Sequence, residues 1–280
     1  MGLLEDPKNP SEPEYDYFHG TTRTFLAKIE NNGTLVLKRS VNMEKIRCMH
    51  WVVNYWDGTH NNIFALGGQS KKEVHDSMEK YDFEKKQWVL KASMKSPRTM
   101  FSATYMDGYI YAFGGFKDLK YFFPEPAFER YSIADDSWEA IDLADTKISS
   151  LWGASLSHTQ DKQILIMGGV AATVEHENDV PQTLHQYDPD TKEFKLLNSE
   201  GVWVSMNKFI TTNGIIFRSI GGINQFRSLE YNREIDSWSP HASEPDMLAY
   251  MDKMNEFTKN PQQHIFQLLS YSTVVSHSFY

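Results

Sequence analysis

The chain has 280 residues, 40% apolar and 14% aromatic, and its 37 carboxylates against 28 lysines and arginines give a net charge of −9. No Lys/Arg block interrupts that balance, which excludes recognition of a nucleic-acid backbone, and no run nears the ~20 apolar residues that would cross a membrane as a helix. The single cysteine, Cys48, allows no internal disulfide and sets the expectation of an intracellular, cytoplasmic protein.

The start, Met1-Gly2-Leu3-Leu4-Glu5-Asp6, carries no basic leader, and Asp6 stands where a myristoylation motif wants Ser or Thr. Within residues 14–29, Tyr17-Phe18 precede Phe25 by the seven-residue spacing met again below, so this stretch reads as the outer hairpin of an incomplete repeat. Asn31-Asn32-Gly33 then predicts a turn between residues 25–29 and 34–37.

From Arg47 a unit recurs four times. An apolar run ends in a double glycine at Gly67-Gly68, Gly114-Gly115, Gly168-Gly169 and Gly221-Gly222. Each is followed by an aromatic pair seven residues apart: Tyr81 and Trp88, Tyr131 and Trp138, Tyr187 and Phe194, Tyr231 and Trp238. A repeat of roughly 45 to 55 residues points to sheets arranged as a toroid. In the second copy, residues 102–115 read as strand, Asp107-Gly108 turn, strand; Asp-Gly suits a tight hairpin because both central positions need positive φ. Asp57-Gly58 and Asn213-Gly214 hold the same place elsewhere. Short continuous apolar runs such as Ile164-Leu165-Ile166-Met167 predict strands buried on both faces. A double glycine at a strand end fits a crowded site, as at the rim of a central channel. The aromatic pair brackets a second hairpin, with Glu84-Lys85-Lys86 as its first turn, and supplies bulk between neighbouring sheets.

These features, with the lead-in Met94-Lys95-Ser96-Pro97-Arg98, resemble the kelch repeat family over residues 47–239. The resemblance implies an all-β, kelch-type β-propeller with four recognisable blades, the third having Phe194 for Trp. A fifth blade is expected to close the ring by joining residues 14–29 to possible strands at 263–275. A short C-terminal helix is expected over 243–259, where an acidic first turn precedes Met247, Leu248, Met251 and Met254. The whole, residues 1–280, reads as one domain.

Chemistry is sparse in this sequence. The copper oxidases that resemble galactose oxidase would require a Cys–Tyr thioether and further ligands, and Cys48 has no recognisable counterpart to carry them over. Cys48 reads as a small apolar filler. His176-Glu177-Asn178-Asp179 with His185 lacks the tight spacing of a zinc site and reads as a solvated acidic loop. No phosphate-binding glycine loop and no nucleophile elbow is present. No cofactor, metal or catalytic residue is therefore expected.

Binding is expected on loops instead, because the connection after each double glycine varies in length while the aromatic spacing stays fixed. Candidate partner contacts are Lys71, Lys72, Lys117, Lys120, Tyr121, Phe122, Phe123, His176 and Arg227, aromatics beside cations being the residue types that anchor interfaces. Arg98, matched by Arg47, is assigned to the scaffold. The resemblance implies a non-catalytic module, a scaffold or cytoskeleton-associated protein, holding a protein or peptide on one loop-rich face. Two alternatives stand: a substrate-recognition subunit of a ubiquitin ligase, although the stretch before Arg47 is short for the helical domains that accompany such propellers, and an enzyme acting on a small molecule in the channel.

Overall fold

The structure, a computed structural model, describes residues 22–29, 35–118, 128–143, 151–152, 154–159, 161–167, 170–171, 184–197, 209–212, 215–220, 227–232 and 235–240. Every regular element among them is a strand. A hairpin of β1 (Phe25–Ile29) and β2 (Leu35–Arg39) comes first, followed by four antiparallel sheets of four strands. The first sheet is β3 (Trp51–Trp56), β4 (Asn61–Leu66), β5 (Met78–Asp82) and β6 (Gln87–Lys91); the second is β7 (Ser102–Met106), β8 (Tyr109–Phe113), β9 (Phe128–Ser132) and β10 (Ser137–Ile141). In the third, β12 (Ser155–His158), β13 (Ile164–Met167), β15 (Leu184–Asp188) and β16 (Glu193–Leu197) pair in order, while short β11 (Leu151–Trp152) pairs with β14 (Val170–Ala171) alongside. The fourth is β17 (Phe209–Thr212), β18 (Ile215–Ile220), β19 (Arg227–Asn232) and β20 (Ser237–Pro240). Each sheet runs up and down in chain order, and the first strands of successive sheets adjoin: β3 beside β7, β7 beside β12, β12 beside β17. This is the architecture of propeller blades, and the fold is of the kelch β-propeller type.

The seven-residue aromatic spacing is cross-strand register. Tyr81 pairs with Trp88, Tyr131 with Trp138, Tyr187 with Phe194 and Tyr231 with Trp238, each across the third and fourth strands. What fixes it is the residue after each Tyr, which caps the turn. Asp82 Oδ1 accepts from the amides of Glu84 and Lys85, and Asp188 Oδ1 from those of Asp190 and Thr191. Ser132 Oγ accepts from the Asp135 amide, and Asn232 Oδ1 from the Ile235 amide. The turn then closes through a left-handed residue just before the last strand, with φ of 52° at Lys86, 49° at Asp136, 62° at Lys192 and 46° at Asp236. Three side-chain types thus build one turn.

The first hairpins are less uniform. Asp107-Gly108 forms the expected two-residue turn, with φ of 50° and 84°. Asp57-Gly58 does not: β3 ends at Trp56 and β4 begins at Asn61, so the loop has two further residues. Asp57 Oδ1 accepts from the amides of Thr59 and His60, and these bonds, His60's foremost, hold its carboxyl down at about 2.

Buried strands behave as their composition demands. In β8 and β13 Ile110, Tyr111, Ala112 and Phe113, and Ile164, Leu165, Ile166 and Met167, are all buried, because neighbouring sheets cover both faces. One cluster unites Phe64, Leu66 and Met78 of the first sheet with Ile110, Tyr131 and Trp138 of the second; another unites Tyr111, Phe113 and Phe128 with Ile164, Ile166 and Tyr187 of the third.

The hairpin expected around Asn31-Asn32-Gly33 is present: Phe25–Ile29 pairs with Leu35–Arg39. The outer hairpin expected over 14–29 begins outside the described residues. Residues before 22, the helix expected over 243–259, the strands expected over 263–275, and with them the closure of a fifth blade, lie outside the described residues.

Candidate functional site: the loop face between the first two sheets

In an up-and-down sheet the first and third turns share one end. Ile133 N donates to Gly108 O at 3.1 Å, joining those turns in the second sheet. The second-to-third connections and the links between sheets therefore share the opposite face. In the first sheet the connection from Gly67 to Ser77 and the link from Ala92 to Phe101 meet there.

Two buried ion pairs form the floor. Arg47 Nη2 donates to Glu79 Oε1 at 2.9 Å with both side chains fully buried, and Arg98 pairs with Glu129 in the same way. Each Arg also satisfies the carbonyl of a first glycine: Arg47 Nη1 reaches Gly67 O at 2.6 Å and Arg98 Nη1 reaches Gly114 O at 3.1 Å. Each Glu fixes a link, Glu79 accepting from the Glu44 and Lys45 amides and Glu129 from those of Lys95 and Ser96. Burial lowers the pKa of Arg47, and the bond to Glu79 works against that shift. The scaffold assignment of Arg47 and Arg98 agrees with this geometry.

The second glycine is required by crowding. Gly68 has φ of 84° and a Cβ there would stand 2.6 Å from Cys48 O; at Gly115, φ is 92° and the distance to Thr99 O is 2.5 Å. Both approach a lead-in strand that bridges to the residue following the glycines, Cys48 to Gln69 and Thr99 to Phe116. The pairing of Trp152 with Val170 repeats this in the third sheet.

On this floor the loop projects charge. Ser70 N donates to Glu73 O at 2.9 Å, closing a turn that carries Lys71 and Lys72 exposed. A cleft of about 420 Å³ opens beside it, lined by Lys45, Glu73, Val74, His75, Asp76, Ser77, Leu90, Lys91, Ser93 and Pro97. His75 is buried against it, with Nε2 at 2.9 Å from Ile46 O and Nδ1 at 3.6 Å from Glu73 Oε1; burial lowers its pKa. Leu90 and Ile46 are large apolar residues left 45% and 49% exposed at this edge.

Of the sequence candidates, Lys71 and Lys72 lie beside the cleft and Lys117 is exposed on the loop following Gly115 in the neighbouring sheet. Arg227, expected in a connection, is the first residue of β19 and pairs with Ile220. It is a strand residue at the loop-face end. Lys120, Tyr121, Phe122, Phe123 and His176 lie outside the described residues. Sequence reasoning missed Lys45, Ile46 and Leu90, which become neighbours only when the link packs beside the loop. It also missed Glu79 and Glu129, although both stand two residues before the repeat Tyr, a periodicity that could have revealed them. Among the described residues no group of three or more His, Cys, Asp or Glu is placed to hold a metal ion.

A family model described as Kelch motif matches residues 59–95, from β4 through the double glycine and the Tyr81–Trp88 pair to the link. These are kelch repeats. Kelch-like protein 40 of Mus musculus is 31% identical over 152 residues, 52% of this chain and 22% of that protein. Alpha-scruin of Limulus polyphemus is 28% identical over 144 residues, 50% of this chain and 15% of that protein. An F-box/kelch-repeat protein of Arabidopsis thaliana is 37% identical over 105 residues, 30% of this chain and 27% of that protein. The matches thus cover about a quarter or less of these relatives. No helix among the described residues is long and apolar enough to cross a membrane.

Proposed function

We propose that this chain is a non-catalytic interaction module, a scaffold that holds a protein or peptide partner on its loop face. One observation carries the reading: the loop bearing exposed Lys71 and Lys72 is built on backbone locked from below by the Arg47–Glu79 pair. A loop fixed this way loses little entropy when a partner binds. Lys117, Lys120, Tyr121, Phe122, Phe123, His176 and Arg227 belong to the same proposed face, and the cytoplasm is the compartment proposed for it.

Affinity capture with the intact chain tests this. A stoichiometric partner should be retained by Lys85→Glu, on the opposite hairpin face, and lost on Lys71→Glu/Lys72→Glu or on alanine substitution of Tyr121, Phe122 and Phe123. A partner indifferent to both loop variants refutes the loop face. About one metal per purified chain by elemental analysis would favour an enzyme instead.

A further inference from the structure

The lead-in Met94-Lys95-Ser96-Pro97-Arg98 contains one group that the scaffold does not use. Arg98 is buried in its ion pair, and the Lys95 and Ser96 amides are held by Glu129, but the Ser96 hydroxyl makes no hydrogen bond and is not sealed from solvent. It lies in the link between β6 and β7, outside any strand, with Ser93 and Lys95 exposed before it and Pro97 lining the cleft after it. A serine followed at once by proline is the acceptor pattern of proline-directed protein kinases. Ser96 and Ser239 are the serines of the chain that have it, and Ser239 is held in β20 opposite Glu230.

A phosphate on Ser96 would act against the lock beneath the loop face. It carries a charge of about −1.5 to −2 at pH 7. The amide of the same residue donates to Glu129 Oε1 at 3.1 Å and the Lys95 amide to Oε2 at 2.6 Å, so the new charge arrives beside a buried carboxylate. Arg98 is already committed to Glu129 and to Gly114 O, and Lys95 is exposed, where pairing is weak. Repulsion therefore opposes the hold of Glu129 on the link. The Arg98 backbone carries the effect onward: Arg98 O accepts from Gly68 N at 2.8 Å, and Arg98 N donates to His75 O at 3.1 Å, tying down the loop that bears Lys71 and Lys72.

We propose that Ser96 is a phosphorylation site for a proline-directed kinase, and that its phosphate frees the loop of residues 67–77 by weakening the hold of Glu129 on the link. The kinase moves the γ-phosphoryl group of ATP to Ser96 Oγ. The bond from that phosphorus to its bridging oxygen breaks, the Oγ–P bond forms, the hydroxyl proton passes to the kinase's catalytic carboxylate, and ADP leaves. The site itself needs no partner on the loop face; its use as a regulator of binding rests on the interaction-module reading.

The test incubates the intact chain with Mg-ATP and a purified proline-directed kinase that phosphorylates a synthetic peptide of residues 92–101. Mass spectrometry of the intact and digested chain should find one phosphate, on Ser96. Ser96→Ala and Pro97→Ala should each abolish it, and Ser93→Ala should leave it unchanged. In the phosphorylated chain, amide hydrogen exchange over residues 67–77 and 92–101 should be at least about fivefold faster, and the unfolding midpoint about 3 °C or more lower. Phosphate on the peptide but not on the folded chain, or on Ser239 instead, overturns the site. Phosphate on Ser96 with unchanged exchange at 67–77 overturns the release of the loop. If affinity capture finds no partner sensitive to loop-face variants while Ser96 is phosphorylated and the loop exchanges faster, the module reading falls and the phosphorylation site stands.

Discussion

At the scale of single residues the buried ion pairs decide most. Arg98 and Glu129 are each about 2% exposed at the side chain, and Glu129 also holds two link amides. Removing one partner strands a buried charge, so Glu129→Ala should cost about 3–5 kcal/mol. The double variant Arg98→Met/Glu129→Met should cost clearly less than the sum of the two single replacements, since no charge is then stranded. Chemical denaturation midpoints in a double-mutant cycle will measure both; strict additivity would contradict the argument. The third repeat shows the same logic in its sequence. Leu151 stands four residues before Ser155 as Arg98 does before Ser102, and His185 stands two before Tyr187 as Glu129 does before Tyr131. Both charges are replaced together, leaving a buried His185 whose Nδ1 has no hydrogen-bond partner. At Gly115 the backbone itself is the constraint: with φ of 92° and Thr99 O 2.5 Å from a Cβ position, Gly115→Ala should cost about 2–3 kcal/mol or more by the same measurement.

At the scale of elements, the outer hairpin of the second sheet seals onto the end of the first. Trp138 Nε1 donates to Ala92 O at 2.9 Å, and Asp136 accepts from Ala92 N at 3.0 Å and from Tyr131 Oη at 2.6 Å. Burial opposes ionisation of Asp136, yet these bonds and Lys91 hold its pKa down at about 2. In the first blade Trp88 Nε1 is buried with no such acceptor, and the element before it is the β1–β2 hairpin. Trp138→Phe should therefore cost about 1 kcal/mol more than Trp88→Phe, the net worth of one hydrogen bond. Equal losses would mean that ring packing alone counts. This is also where sequence reading meets its limit. Double glycines and aromatic pairs were legible because a fixed register repeats them. The turn caps were not, since Asp82, Ser132, Asp188 and Asn232 reach one geometry with three side-chain types. The N-terminal hairpin was legible because the Asn31-Asn32-Gly33 turn fixes the pairing of Phe25–Ile29 with Leu35–Arg39 locally. The cleft was half legible: Lys71 and Lys72 are marked by their loop, whereas Lys45 and Leu90 are joined to it only by tertiary packing.

At the scale of the whole molecule, neutral imidazoles placed within and between blades set the response to acid. Burial lowers the pKa of His50 to about 3, and burial also lowers those of His75, His158 and His185 from the ordinary 6.5. His158 Nδ1 lies 3.0 Å from Thr104 Oγ1, across the seam of β12 and β7, and His50 packs on Gly68 beside the lead-in to the first blade. In the unfolded chain these rings take up protons below about 6.5, whereas in the folded blades they resist, so the unfolded state binds more protons and stability falls with pH from there downward. Each ring that stays neutral adds a slope approaching about 1.4 kcal/mol per pH unit. The depressed carboxylates act in a lower window: Asp57 and Asp136, both at about 2, keep their contribution until pH falls below the ordinary 3.8. The unfolding midpoint should accordingly be level above about pH 7 and decline between about pH 6.5 and 5, before Asp57 and Asp136 titrate. Substituting His158 by Gln should flatten that decline, since one proton-binding difference is removed while a hydrogen-bonding side chain remains for Thr104. A midpoint unchanged down to pH 5, or a decline that begins only near 4, would show that the imidazoles are not held neutral and that the seams between blades do not govern acid stability.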